Sequence, residues 1–146
     1  MRIVLQRVSE ASVTVEEKIV GEISQGYLLL VGFHQTDTEE SLDYFVKKIP
    51  HMRLFTDEND KMNLSLLDVN GNLLVVSQFT LYADTSKGRR PSFVDAAPPK
   101  IAEKLYEEFI SKLESSLGRK VVTGAFGAHM EVRLTNDGPV TILLGS

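Results

Sequence analysis

The chain opens on strand-like alternation: Ile3 and Leu5, with Val4 and Val8, distribute apolar side chains over two faces. Val13 and Val15 follow the polar stretch 9–12, and residues 19–23 offer another short extended piece. Residues 27–33, Tyr-Leu-Leu-Leu-Val-Gly-Phe, are apolar without alternation, the pattern of a strand buried on both faces. The period then changes. Leu42, Phe45, Val46 and Ile49 recur at helical spacing, with Asp37 and Glu40 placed as a capping pair and Pro50 as a stop. Asn70-Gly71 predicts a turn into a strand over residues 72–79, followed by a polar loop from about Ala83 to Pro91. A second helix is predicted from Pro98-Pro99, with Ile101, Leu105, Phe109, Leu113 and Leu117 on one face and Gly118 closing it. Val121-Val122, residues 130–134 and residues 140–144 supply the last strands. These elements predict one α/β domain spanning residues 1–146: a mixed or antiparallel, barrel-like sheet with two packed helices.

Composition narrows the chemistry. A chain of 146 residues with 42% hydrophobic and 25% charged residues has the make-up of a soluble globular domain. No apolar run is long enough to cross a bilayer, and the N-terminus reads as a strand rather than a signal peptide, so a cytoplasmic location without membrane attachment is expected. The absence of cysteine removes disulfides, thiolate catalysis and cysteine metal sites. His34, His51 and His129 are scattered singly, so neither a metal site nor a bound cofactor is expected. Phosphate-binding glycine loops, Gly-x-Ser-x-Gly and His-Glu-x-x-His are all missing. A net charge of -4 argues against a general nucleic-acid coat, although a local basic patch still suffices for contact with RNA.

Four segments carry candidate chemistry. Ser77, Gln78, Phe79 and Thr80 lie where an apolar strand runs into a loop. Their hydroxyls either satisfy neighbouring backbone in a core strand or belong to a reactive site, with Thr80 as nucleophile or positioner and a backbone N–H as oxyanion donor. Asn136-Asp137-Gly138-Pro139-Val140-Thr141 is either a hairpin turn or a rigid wall of backbone, its X-Pro bond being cis in only about 5–6% of folded cases. Lys87-Gly88-Arg89-Arg90 is either solvated surface or a phosphate contact, with Phe93 nearby to stack on a base or fill the core. Residues 124–130, Gly-Ala-Phe-Gly-Ala-His-Met, have small side chains that suit either a slot for a flat ring or a tight strand crossing.

In this order, the four segments resemble the D-aminoacyl-tRNA deacylase family, and the likeness runs essentially from Met1 to the C-terminus. Ser-Gln-Phe-Thr-Leu-Tyr and Asn-x-Gly-Pro-Val-Thr match without an identified departure, with Arg-Pro-Ser-Phe between them. The resemblance implies a metal-independent homodimer that hydrolyses the ester between a D-amino acid and the terminal adenosine of tRNA, and that also removes mischarged glycine. It implies a cis Gly138–Pro139 bond reaching into the partner's active site, with Arg7 holding that motif. Ser77 to Tyr82 would line the ester, with the Phe79 N–H as oxyanion donor and either Thr80 or the RNA 2′-hydroxyl assisting attack. Phe126, Gly127, Ala128 and Met130 would form the adenosine pocket, and Lys87, Arg89 and Arg90 would contact the acceptor end. Two other readings stay open: a non-catalytic tRNA- or DNA-binding module, and a small-molecule hydrolase with Thr80 as covalent nucleophile.

Overall fold

A single fourteen-residue strand, β1 (Arg2–Val15), organises the sheet in the computed structural model, which describes residues 1–145. One edge of β1 pairs antiparallel with β8 (Glu131–Gly145) from Arg2 to Thr14. Its other edge is shared. β3 (Gly26–Gly32) takes Arg2 to Val8, and β2 (Lys18–Ile23) takes Ala11 to Val15. β6 (Asn72–Ser77) lies parallel to β3, and the short β7 (Val122–Thr123) lies parallel to β6. The order is therefore β2-β1-β3-β6-β7, with β8 on the far edge of β1. β2 comes back against β7: a Cβ added at Gly21 would stand 2.7 Å from the Thr123 carbonyl oxygen. That approach nearly closes the sheet into a barrel.

The sheet is buried on both faces, which explains the unbroken apolar run in β3. Tyr27, Leu29, Leu73 and Val75 face the helices, while Leu28, Leu74 and Val76 join Val8 and Val13 on the opposite face. The main core packs against α2 (Pro99–Leu117), whose Ala102, Leu105, Tyr106, Phe109 and Leu113 are buried. Phe109 and Leu113 are fully sealed, each contributing roughly 1.5–3 kcal/mol. α2 ends at Gly118 in the left-handed region, φ 70°, as a glycine cap requires. Its first predicted apolar residue departs from the core: Ile101 is 48% exposed.

Several elements differ from the sequence reading. α1 (Asp43–Lys48) is short and flanked by 3-10 turns at Glu39–Leu42 and Ile49–His51, the second containing Pro50. Thr38, not Asp37, caps the first turn, its N–H donating to the Ser41 hydroxyl at 3.0 Å. Asp37 is taken by other partners instead: its carboxylate accepts the His34 N–H and pairs with the buried Met1 ammonium, both at 2.6 Å. β6 stops at Ser77, and Phe79–Tyr82 form a 3-10 turn, so the strand is two residues shorter than the apolar pattern suggested. Residues 130–134 and 140–144 belong to one strand, β8, rather than two separated by a hairpin. An antiparallel pair, β4 (Arg53–Thr56) and β5 (Met62–Ser65), occupies a stretch where the sequence showed no clear periodicity.

Candidate active site

The parallel strands β3 and β6 end side by side, and the space beyond their carboxyl ends is a cleft of about 890 Å³. Clefts beyond the carboxyl ends of parallel strands are habitual ligand sites in α/β sheets. The Gln78 N–H donates to the Val31 carbonyl at 2.7 Å, locking the end of β6 to β3 as the chain turns. Leu81 N–H then donates to the Gln78 carbonyl and Ala83 N–H to the Thr80 carbonyl, at 3.2 and 3.0 Å. The first bond of this turn starts at Leu81, so the turn itself leaves the Phe79 and Thr80 N–H groups unused. The Gln78 side-chain amide donates to the Thr80 hydroxyl oxygen at 2.5 Å. The two side chains meet because the chain turns at Phe79.

Ser77, Gln78 and Phe79 line one side of the cleft, and Phe126, Gly127, Ala128 and Met130 line the other. Two segments far apart in sequence thus share one space. Thr80 is exposed beside it and does not line it. Phe79, 54% exposed, meets Phe93 edge to face at 5.0 Å, leaving an aromatic surface open to a flat ligand. Phe126 is backed by Tyr106, ring centroids 5.7 Å apart, and the Tyr106 hydroxyl donates to the Val75 carbonyl at 2.6 Å. Burial pushes the Tyr106 phenol up to about 12, so it stays a neutral donor that ties helix α2 to strand β6. Gly127 adopts φ 76°, which favours glycine, and a Cβ at Gly124 would stand 2.7 Å from the Met130 sulfur.

Asn136 to Thr141 lies elsewhere on the molecule. Register passes from Val8↔Asn136 to Gln6↔Thr141, leaving Asp137, Gly138, Pro139 and Val140 opposite Arg7 alone. The motif is therefore a bulge within a strand, and extra residues of this kind aim backbone out of the ladder. Asn136 closes its base: its carboxamide oxygen accepts the Val140 N–H at 2.9 Å and its nitrogen donates to the Thr141 hydroxyl at 3.1 Å. The Gly138–Pro139 peptide bond is cis, and both residues are exposed. Arg7, only 7% exposed, donates from Nε to the Asp137 carbonyl at 3.0 Å and from Nη1 to the Leu54 carbonyl at 2.7 Å. Neither Arg7 nor Gly138-Pro139 lines the cleft of its own chain.

The basic loop is held at its base by the reciprocal Asp84–Ser92 backbone bonds, at 2.8 and 2.9 Å. Lys87, Arg89 and Arg90 are all exposed between those anchors, and Phe93 follows into the cleft wall. The Asp84 carboxylate is held below its usual range by hydrogen bonds from the Ser86 side chain and, second, its backbone N–H. Sequence reasoning missed part of the cleft wall: Gln35 and, at the start of α2, Pro98, Pro99, Ile101 and Ala102. The proline pair after a basic loop was the available signal for the helix start, and Ile101 earns its exposure there. His34 is structural, its Nδ1 2.7 Å from the Thr36 hydroxyl and its ring edge-on to Tyr82. Among the described residues there is no group of three histidine or carboxylate side chains placed to hold a metal ion. No helix among the described residues is long and apolar enough to cross a membrane.

Comparison with known proteins agrees with this arrangement along the whole chain. The D-aminoacyl-tRNA deacylases of Thermosipho africanus and Clostridioides difficile are each 58% identical over 146 residues, covering 100% of this chain and 97% of theirs. A solved structure titled c-Myc DNA Unwinding Element Binding Protein superposes with a TM-score of 0.93 at 40% identity, covering 100% of this chain and 99% of the other. A probable eukaryotic D-amino acid tRNA deacylase shares the fold, with a TM-score of 0.85 at 21% identity over 98% of this chain and 97% of its own. The model of the D-Tyr-tRNA(Tyr) deacylase family matches residues 4–145, and with these relatives it shows that the chain belongs to that family.

Proposed function

We propose that this protein hydrolyses the ester of D-aminoacyl-tRNA, and of glycine mischarged onto tRNA, releasing the free amino acid and intact tRNA. The observation that carries the reading is the shared cleft, which sets the Ser77–Phe79 turn against the Phe126–Met130 segment. A water oxygen adds to the ester carbonyl as the neighbouring ribose 2′-hydroxyl takes up the water's proton and passes its own towards the 3′-oxygen, and the resulting oxyanion sits at the unused N–H of Phe79. Collapse expels the ribose 3′-oxygen, which takes up a proton as the amino acid leaves. The terminal adenine fits between Phe126 and Met130, where the small residues Gly127 and Ala128 leave room for a flat ring. Lys87, Arg89 and Arg90 stand where acceptor-end phosphates would pass, and such contacts position without reading sequence. Such a substrate places the protein in the cytoplasm.

Handedness is assigned to Gly138-Pro139, delivered by a second copy of the chain. The bulge stands outside its own cleft, so it acts on that chemistry only if a partner brings it there. The sheet offers a surface for this. Cross-strand neighbours Leu143, Val4, Leu30 and Val76 form one row, from β8, where Leu143 is 76% exposed, to the cleft wall at Val76. A side-chain-free wall rejects an L side chain by collision and makes little contact with a D side chain, so many D-residues pass. Glycine passes for the same reason.

One observation favours a second reading, a DNA-binding module: the solved structure at 40% identity is that of a c-Myc DNA Unwinding Element Binding Protein. The net charge of -4 weighs against it. Matched D- and L-aminoacyl-tRNA, incubated with the protein, separate the two. Release of only the D-form carries the deacylase reading, whereas salt-sensitive nucleic-acid binding with no release replaces it.

A further inference from the structure

We infer that Arg2 is a positioning residue for deacylation, bracing the Phe79–Tyr82 turn from the neighbouring strand. The inference rests on the proposed ester chemistry at that turn. Arg2 pairs with Gly32 across β1 and β3. Gly32 has no side chain for a reason: a Cβ there would stand 2.9 Å from the Gln78 carbonyl oxygen and 3.1 Å from the Leu81 Cβ. The turn therefore rests directly on the Gly32 backbone, and the side chain of its cross-strand partner reaches across to it. The Arg2 Nη1 donates to the Leu81 carbonyl at 2.8 Å, and the guanidinium lies over the Tyr82 ring, 4.5 Å from its centroid.

The turn has a defined need for that contact. Its own bonds use the Gln78 and Thr80 carbonyls, accepting from Leu81 and Ala83. The next N–H, that of Asp84, goes instead to Ser92 at the base of the basic loop, at 2.8 Å. The Leu81 carbonyl, left at the end of the turn, is the one Arg2 takes. Basic side chains commonly satisfy terminal carbonyls in this way. Tyr82 is also pinned edge-on by His34 at 5.3 Å, and is 4% exposed. Arg2 thus fixes the far end of the segment whose near end carries the Phe79 N–H and Thr80. A small displacement of reacting groups costs rate more than affinity.

The test compares wild type with Arg2→Met, which keeps an aliphatic chain but removes the guanidinium from Leu81 and Tyr82, and Arg2→Lys, which restores a donor. Deacylation of D-aminoacyl-tRNA is followed with the amide spectrum of Phe79 and Thr80. The Met variant is expected to lose roughly ten-fold in kcat with KM nearly unchanged, and to shift both amides. The Lys variant is expected to recover most of the rate. Wild-type kcat in the Met variant overturns the inference, as does a loss confined to KM that salt reproduces, since that marks a phosphate contact. If wild type itself releases no D-amino acid, the functional reading fails, while unshifted Phe79 and Thr80 amides in the Met variant separately overturn the bracing role.

Discussion

Arg7 and Asp137 are joined by a 3.0 Å bond from the Arg7 Nε to the Asp137 carbonyl, and Arg7 is the one β1 residue facing the bulge in β8. The same guanidinium reaches the Leu54 carbonyl at 2.7 Å, so a buried cation ties the exposed Gly138-Pro139 motif to β4. Its carboxylate neighbour, Asp137, lies 3.5 Å from Nε but is half exposed, and the backbone bonds carry more of the hold.

Replacing Arg7 with Met leaves two carbonyls without their donor, at about 1–3 kcal/mol for each one that stays dry. Urea unfolding is expected to show a lower midpoint at unchanged slope. Discrimination between D- and L-aminoacyl-tRNA is expected to fall further than the D-rate itself. An unaltered midpoint would show that the guanidinium contributes nothing to the fold.

Gly138 cannot accept a side chain without loss. Its φ is 138°, and a Cβ would lie 2.8 Å from a Val140 methyl and 3.0 Å from the Val140 nitrogen. A strained backbone of this type costs about 1–3 kcal/mol. Gly138→Ala is expected to retain its far-ultraviolet circular dichroism, because the bulge stands outside the ladder, while losing chiral selection. Wild-type D/L ratios in this variant would remove the motif from the selection mechanism.

Tyr106 gives the alkaline side of the stability profile. Its phenol is raised by burial to about 12, above an unfolded value of about 10. The folded state keeps this proton longer than the unfolded state. The contribution is therefore fully present below about pH 10 and is lost as pH rises towards 12. Tyr106→Phe is expected to be less stable at neutral pH, by about 0.5–1.5 kcal/mol for the lost hydrogen bond, the Val75 carbonyl still accepting the Gly124 N–H at 3.2 Å, and less sensitive to alkali. Denaturant melts of both proteins at pH 8 and pH 11 check the sign; parallel losses would place the alkaline sensitivity elsewhere.

Periodicity revealed what packing demands of whole elements, and missed what single bonds decide. The run at 27–33 and the Leu105, Phe109 and Leu113 face announced themselves because burial repeats along them. The end of β6 did not, because Phe79 is apolar yet turns outward once Gln78 bonds to Val31. Asn136-Asp137-Gly138-Pro139 has the composition of a turn, and only pairing with β1 makes it a bulge. The cleft residues were found as separate segments; their meeting depends on the parallel alignment of β3 with β6, which sequence spacing does not encode. Asp37 has the chemistry of a cap, but Met1 and His34 claim its carboxylate.

Thr80 is the residue whose chemistry the structure redirects most. Its hydroxyl oxygen accepts from the Gln78 amide at 2.5 Å, whereas a nucleophile needs its proton drawn towards a base. It also stands beside the cleft rather than lining it. Thr80→Ala is therefore expected to reduce kcat by less than about ten-fold, well short of the 10²–10⁴-fold that positioned proton transfer supplies. The complementary substrate, tRNA ending in 2′-deoxyadenosine, is expected to lose far more, because its own hydroxyl is proposed to assist attack. Single-turnover rates for the two enzymes on the two substrates separate the routes. If the deoxy substrate reacts at the normal rate while the variant is dead, with acyl-enzyme trapped on wild type, threonine is the nucleophile after all.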